Sequence, residues 1–180
     1  MIHDTCFKTI EFNDDDVLIR YYIYDEYEYK DLRGEISFIE FKENLLKNYI
    51  LCEKLGYCKI IHDDIFTTIK MPRLITFDKY NKIDKEYAQN TFIHKFEKLI
   101  LEMWNNQIIH LDFHLGNIGI DENGDYKLLN LNEVYSCENI YEFLSWYIDT
   151  KDNFNFFNLE KKLNLIETRI KNISSFVSIL

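Results

Sequence analysis

The chain has 180 residues, 47% of them hydrophobic and 16% aromatic, with a formal net charge of −10. That length holds one domain, or one domain with a small lobe attached, and its apolar content builds a real core, which excludes a disordered protein. Acidic balance with scattered Lys and Arg argues against a nucleic-acid surface and against anionic membranes, since both need clustered cations.

Residues 6–12 and 17–24 carry short apolar bursts around Asn13-Asp14-Asp15-Asp16, which predicts a hairpin with a solvated turn. The acidic stretch from Asp25 to Lys30 is expected to be loop, with Gly34 punctuating it. The tyrosine-rich run from Tyr21 to Lys30 reads as a strand end or as a partner-binding edge, because Tyr is enriched at interfaces. From Glu35 to Leu55, Ile36, Ile39, Leu45, Leu46, Tyr49, Ile50 and Leu55 keep helical spacing, and Gly56 sits where a helix stops.

Cys58 to Leu74 reads as a second hairpin split by Asp63-Asp64, and Pro72, which cannot continue a ladder, marks a boundary. After a mixed polar stretch, a long helix is predicted from about Asn90 to Asn105, with Ile93, Phe96, Leu99, Ile100 and Met103 on one face. Ile118–Ile120 and Tyr126–Leu129 flank Asn123-Gly124, the strongest two-residue hairpin signal in the chain. Helical patterns from Ile140 to Ile148 and from Leu159 to about Val177 close the protein, with Trp104 and Trp146 expected in the core. Strands followed by helices mean an α+β fold, a small strand-rich lobe before a helical one, with a seam near Pro72–Asp78.

Cys6, Cys52, Cys58 and Cys137 form no C-x-x-C pair and no zinc spacing, so reduced thiols are expected. The N-terminus lacks the apolar run of a signal peptide, and no segment has the apolar length to span a bilayer. These features predict a soluble, cytoplasmic protein.

The chemistry concentrates between Gln107 and Glu133. His110, Asp112 and Asn117 stand in the spacing H-x-D-x-x-x-x-N, and a hairpin then carries the chain to Asn130. Phosphoryl transfer needs a carboxylate beside the nucleophilic hydroxyl and oxygen ligands for the Mg²⁺ on the nucleotide phosphates. A loop that leaves a helix and enters a hairpin presents such groups on rigid supports. Asp112 is the candidate base and Asn117 a candidate metal ligand.

The segment HLDFHLGNIGIDENGDYKLLNLNE resembles the catalytic loop and following hairpin of the protein-kinase-like superfamily. Its H-x-D-x-H-x-G-N form is closest to the aminoglycoside-phosphotransferase, choline-kinase and ABC1-like branch. The resemblance implies a compact bilobal fold: a cut-down strand lobe (about 1–71), a hinge at Met71-Pro72-Arg73-Leu74, and a reduced helical lobe (about 75–180). It also implies that Asp112 is the catalytic base, that Asn117 and Asn130 hold Mg²⁺, and that His110 packs the loop. Arg20 falls where the family carries its ATP-phosphate lysine, the helix at 35–55 corresponds to αC with Glu40 or Glu43 as its acid, and Asn139-Ile140-Tyr141 resembles the start of αF.

Departures from the family pattern are several. Asn130 puts a neutral amide where the family has a carboxylate, and an amide brings no negative charge to a hard dication. Arg20 replaces a point-charge ammonium with a planar fork. No glycine-rich loop precedes Arg20, since the first glycine is Gly34, and Asn139 is again an amide where an acid is usual. The resulting expectation is a pseudokinase or very weak kinase acting mainly through a protein partner, with ATP and Mg²⁺ as cofactors if the nucleotide site functions. The alternative is an active minimal phosphotransferase acting on a protein Ser/Thr or a small-molecule hydroxyl. A reading from another class is a metal site at His110-x-Asp112-x-His114, three ligands that would share one face of a strand. His114 otherwise stabilises the loop, and His3, His62 and His94 stand alone.

Overall fold

The structure, a computed structural model, describes residues 2–4, 8–22, 38–62, 66–77 and 85–177. The tyrosine-rich run beyond Tyr22, Gly34, Cys6 and the Asp63-Asp64 turn lie outside the described residues. The fold is α+β, and every strand pairing among the described residues is antiparallel. The chain divides into two compact units, Met1–Arg73 and Leu74–Leu180.

The first unit contains β1 (Ile2–Asp4), β2 (Lys8–Phe12), β3 (Asp16–Tyr22), α1 (Phe38–Lys54), β4 (Lys59–His62) and β5 (Phe66–Pro72). The strands form one sheet in the order β1-β2-β3-β5-β4. Its register is set by apolar side chains: Ile10, Ile19, Ile69 and Ile60 stand directly opposite one another across four strands. A slip of one residue would move that row to the other face. Ile69, at its centre, is fully buried.

On the same face Tyr21 meets α1, its hydroxyl 3.1 Å from that of buried Tyr49. The helix buries Asn48, Tyr49 and Cys52 while Ile50 is 45% exposed, so its inward stripe is more polar than the spacing of apolar residues predicted. Gly56, at φ +78°, ends the helix. Its N–H donates to Glu53 O and that of Tyr57 to Cys52 O, the paired bonds of a left-handed glycine cap. Pro72 is the last residue of β5 and lies opposite Asp16, where a missing N–H leaves no gap in the sheet interior. Arg73 then ties the strand end to the β2–β3 turn, its N–H donating to Asp15 O and its guanidinium to Asn13 O.

The second unit contains β6 (Ile75–Thr76), a helical turn α2 (Lys85–Tyr87), a π-helical turn (Ala88–Phe92) and α3 (Ile93–Asn105). There follow β7 (Ile108–His110), β8 (Ile118–Ile120), β9 (Tyr126–Leu128), β10 (Val134–Ser136), α4 (Ile140–Thr150) and α5 (Glu160–Val177). β8 lies between β6 and β9, and β7 pairs with β10. The predicted α3 face is inside, with Phe96, Leu99, Ile100 and Met103 all buried.

The core is aromatic. Phe96 and Phe154 have ring centroids 4.6 Å apart, Phe113 and Phe154 4.9 Å, and Phe113 and Trp146 5.2 Å. Such tilted contacts add to the area that the rings bury. From α5, Leu163, Ile166 and Ile170 complete the core at helical spacing. Lys151 pins that helix through Glu167 at 2.6 Å.

Gly119 in β8 is a packing requirement. A Cβ there would lie 2.5 Å from the Cβ of Leu74 and 2.8 Å from its Cδ1. Because the nearest atom is a Cβ, rotamer change cannot relieve the overlap, and β6 must move off β8. Gly119→Ala is expected to destabilise the protein by about 1–3 kcal/mol, read as a lower urea midpoint at unchanged slope. Adding Leu74→Ala should not restore the midpoint, because the closest atom remains.

Candidate functional site

The residues from His110 to Leu131 are positioned by three supports. First, α3 ends at Asn105, and Gln107, in the left-handed region at φ 53°, reverses the chain into β7. β7 is buried throughout and paired with β10. Second, the β8–β9 hairpin closes through Asp121, whose Oδ1 accepts from the N–H groups of Asn123 and Asp125 at 2.9 Å each. Gly124 there takes φ +76° while Asn123 does not, so the strands are joined by a wider turn closed between Asp121 and Asp125 rather than by the two-residue turn that Asn-Gly predicts. Third, α4 lies behind the loop, and the indole N–H of Trp146 donates to His110 O at 2.9 Å.

His110 is fully buried and both ring nitrogens are engaged. The N–H of Asp112 donates to Nδ1 at 3.2 Å, and Nε2 lies 2.8 Å from Leu129 O. Nδ1 accepts, so Nε2 carries the proton and donates to the carbonyl. The imidazole is therefore neutral in the fold. Burial pushes its pKa below 6.5, outweighing the Leu129 hydrogen bond and the Asp112 and Glu133 charges that raise it.

Asp112 and Asn117 form one unit. The Asn117 amide nitrogen donates to Asp112 O at 2.7 Å and to Asp112 Oδ2 at 2.8 Å. Both N–H bonds of that amide are thereby used, and Oδ1 is the atom left for a further contact. The Asp112 side chain is 56% exposed. His114 Nδ1 accepts from Gly116 N–H at 3.0 Å, and its Nε2 stands 3.5 Å from Asp112 Oδ2.

Asn130 follows Leu129, whose own N–H donates to Asn117 O at 2.9 Å. Residue 129 is thus bonded both to the His110 ring and to the Asn117 backbone, and Asn130 is the next link in the chain. Asn130 is exposed, adopts φ 52° and ψ 51°, and opens the turn Leu131–Glu133 with no side-chain cap. Asn tolerates this left-handed region better than most residues.

The other predicted residues sit elsewhere. Arg20 belongs to the first unit, where its guanidinium bonds Glu11 Oε2 at 2.6 Å across β2 and β3. The acid partner that the structure shows for it is on a strand; Glu43 of α1 is exposed, and the side chain of Glu40 lies outside those described. Asn139 caps α4: its Oδ1 accepts from Tyr141 N at 3.0 Å and Glu142 N at 3.1 Å. That gives the amide a structural role.

The metal reading of His110-x-Asp112-x-His114 is overturned. β7 ends at His110, so the three residues do not share a strand face, and neither nitrogen of His110 is available to a cation. Among the described residues no group of three or more His, Cys, Asp or Glu is arranged to hold a metal. Two supports escaped the sequence: the Trp146 bond to the loop, and Asn153, whose amide donates to Phe113 O at 3.1 Å. Neither has a spacing signal, since each acts across about 40 residues of chain on a backbone carbonyl.

No family model and no curated protein sequence matches the chain. Solved structures do. The co-crystal structure of WbdD with the kinase inhibitor LY294002 gives a TM-score of 0.55 at 11% identity, covering 94% of this chain and 44% of that one. A structure of the bifunctional kinase-methyltransferase WbdD gives 0.52 at 14% identity, covering 91% and 42%. At such identities the likeness is one of fold, and this chain spans less than half the length of those it matches. Among the described residues no helix is long and apolar enough to cross a membrane.

The neutral His110 has a pH consequence. Its folded pKa lies below the free value, so the unfolded chain binds the extra proton first and stability falls with acidification. The contribution is complete above about pH 6.5 and is lost as pH drops below it towards the folded pKa. The urea midpoint should decline between about pH 7 and pH 5, and His110→Gln should flatten that decline while lowering the midpoint at every pH.

Proposed function

We propose that this chain is a reduced kinase-like protein of the aminoglycoside-phosphotransferase and choline-kinase type. It has a competent acid loop and a weakened metal side, so it transfers phosphate very slowly and works mainly by binding nucleotide and a protein partner. A bifunctional neighbour can be matched through either activity. The loop from His110 to Asn117 favours the kinase one.

The observation that carries this reading is the pair of hydrogen bonds that the Asn117 amide donates to Asp112 O and Oδ2. It fixes the carboxylate through Oδ2 and leaves Oδ1 to take the proton of an acceptor hydroxyl. It also turns the remaining atom of Asn117, its amide oxygen, into the group offered to a cation. In such chemistry ATP supplies the phosphoryl group and Mg²⁺ neutralises its developing charge.

The donor set does not fit a resident Mg²⁺. Asn117 and Asn130 bring two neutral oxygens, and a hard dication held by protein alone prefers carboxylates. They suit a cation that arrives already paired with phosphates. A phosphate-binding role for Arg20 would require it to leave Glu11, its partner within the first unit. Acceptor hydroxyls on a protein Ser/Thr or on a small molecule are both compatible.

A second reading, a pseudokinase that only binds, draws support from Asn130 and from the Arg20–Glu11 pair, which together leave little free charge for phosphates. Turnover separates the two. Asn130→Asp restores the missing carboxylate at a position whose backbone Asp also tolerates. It is expected to raise ATP turnover about tenfold or more, equivalent to about 1.4 kcal/mol of transition-state stabilisation. Asp112→Ala should cut turnover by about 100-fold or more. ATP with Mg²⁺ should raise the melting temperature of the parent protein. Absence of turnover in both the parent and Asn130→Asp would leave binding alone.

A further inference from the structure

His114 is exposed and outside the acid–amide pair, yet its ring is fixed from both sides. On one side Nδ1 accepts the N–H of Gly116 at 3.0 Å, which makes His114 the cap of the turn Leu115–Asn117. An acceptor nitrogen carries no proton, so in the neutral ring the proton is on Nε2. On the other side Nε2 faces Asp112 Oδ2 at 3.5 Å and the Asn117 amide nitrogen at 3.2 Å. That amide already donates both hydrogens to Asp112, so it has none to give Nε2. The opposite tautomer would set Nδ1–H against the Gly116 N–H. The Gly116 bond therefore selects the tautomer with the proton on Nε2, where Asp112 Oδ2 at 3.5 Å is the nearby acceptor, a longer contact than a hydrogen bond.

We propose that His114 is a positioning residue for Asp112: Nδ1 seats the turn that carries Asn117, and Nε2–H stands beside the amide, 3.5 Å from Oδ2, as an electrostatic contact that keeps the carboxylate turned to that side. Asp112 is then held at one oxygen by the Asn117 amide, with the imidazole beside it, and meets an acceptor hydroxyl with the other. The inference deepens the proposed phosphotransfer and rests on it for its kinetic consequence. The ring geometry stands independently of turnover.

The side chain's two roles are separable by substitution. Asn at an N-cap accepts the Gly116 N–H as His does but is too short to reach Asp112, so His114→Asn keeps the turn and removes the restraint. Expected is a fall in kcat of about tenfold to 100-fold, with the KM for ATP and the melting temperature little changed. A variant with the parent's kcat would overturn the proposal.

The second measurement needs no activity. ¹⁵N spectra of the His114 ring should report a protonated Nε2 and a bare Nδ1, and Asp112→Asn should move the Nε2–H proton resonance upfield, because a neutral acceptor draws it less strongly. An Nδ1–H tautomer, or a resonance indifferent to Asp112→Asn, would sink the idea. If neither the parent nor Asn130→Asp turns over ATP, the functional reading fails and the spectra alone decide the role of His114.

Discussion

The buried imidazole of His110 is the point through which the loop is held. Three segments far apart in sequence meet on this one residue: Leu129 O accepts from Nε2, Asp112 N–H donates to Nδ1, and Trp146 donates to its carbonyl. A buried polar group without partners costs about 1–3 kcal/mol, so these contacts are mutually required. Asp112 has its backbone direction set by the ring, and Asn130 follows the carbonyl that the same ring binds. Around this hub the aromatic cluster of Phe96, Phe113, Phe154 and Trp146 supplies the rigid packing on which the loop rests.

That arrangement divides the motif into two kinds of position. Asp112 and Asn117 are joined by a side-chain hydrogen bond, with His114 beside them, so their identities are coupled and a change in one leaves the other without its partner. Asn130 is placed by backbone bonds alone, through Leu129 N–H to Asn117 O and Glu133 N–H to Asn130 O. Its side chain is exposed and caps nothing. A substitution at Asn130 therefore costs the fold little, while the loss of Asp112 would take from the Asn117 amide its side-chain acceptor.

Much of this was legible because it rests on periodicity and on local turn chemistry. The inward face of α3, the Asn123-Gly124 hairpin and the Gly56 helix stop each follow from residues within one or two turns of chain. The α1 stripe was harder. Ile50 is exposed and Asn48 buried, because the helix meets a sheet carrying Tyr21, and a tyrosine-rich contact accepts polar partners that a hydropathy pattern discounts. β1, β6 and β10 are two or three residues long, too short for a period of two to register. Gln107 holds a left-handed conformation without being glycine, so the reversal into β7 carries no residue-type signal.

The presence of an acid at position 112 has no adequate explanation in stability. Its carboxylate is more than half exposed, and exposed hydrogen bonds and ion pairs contribute at most about 0.2–1 kcal/mol to folding. Packing imposes nothing either, since the neighbouring Leu111 is itself 57% exposed. The buried members of the loop, His110 and Phe113, are fixed by the core, whereas Asp112 faces water and is held in one orientation by an amide and approached by an imidazole. Ordering an exposed carboxylate against solvent costs side-chain entropy that the fold does not need to lose. An acid so held keeps its second oxygen open to solvent, which is the geometry the proposed phosphotransfer would draw on.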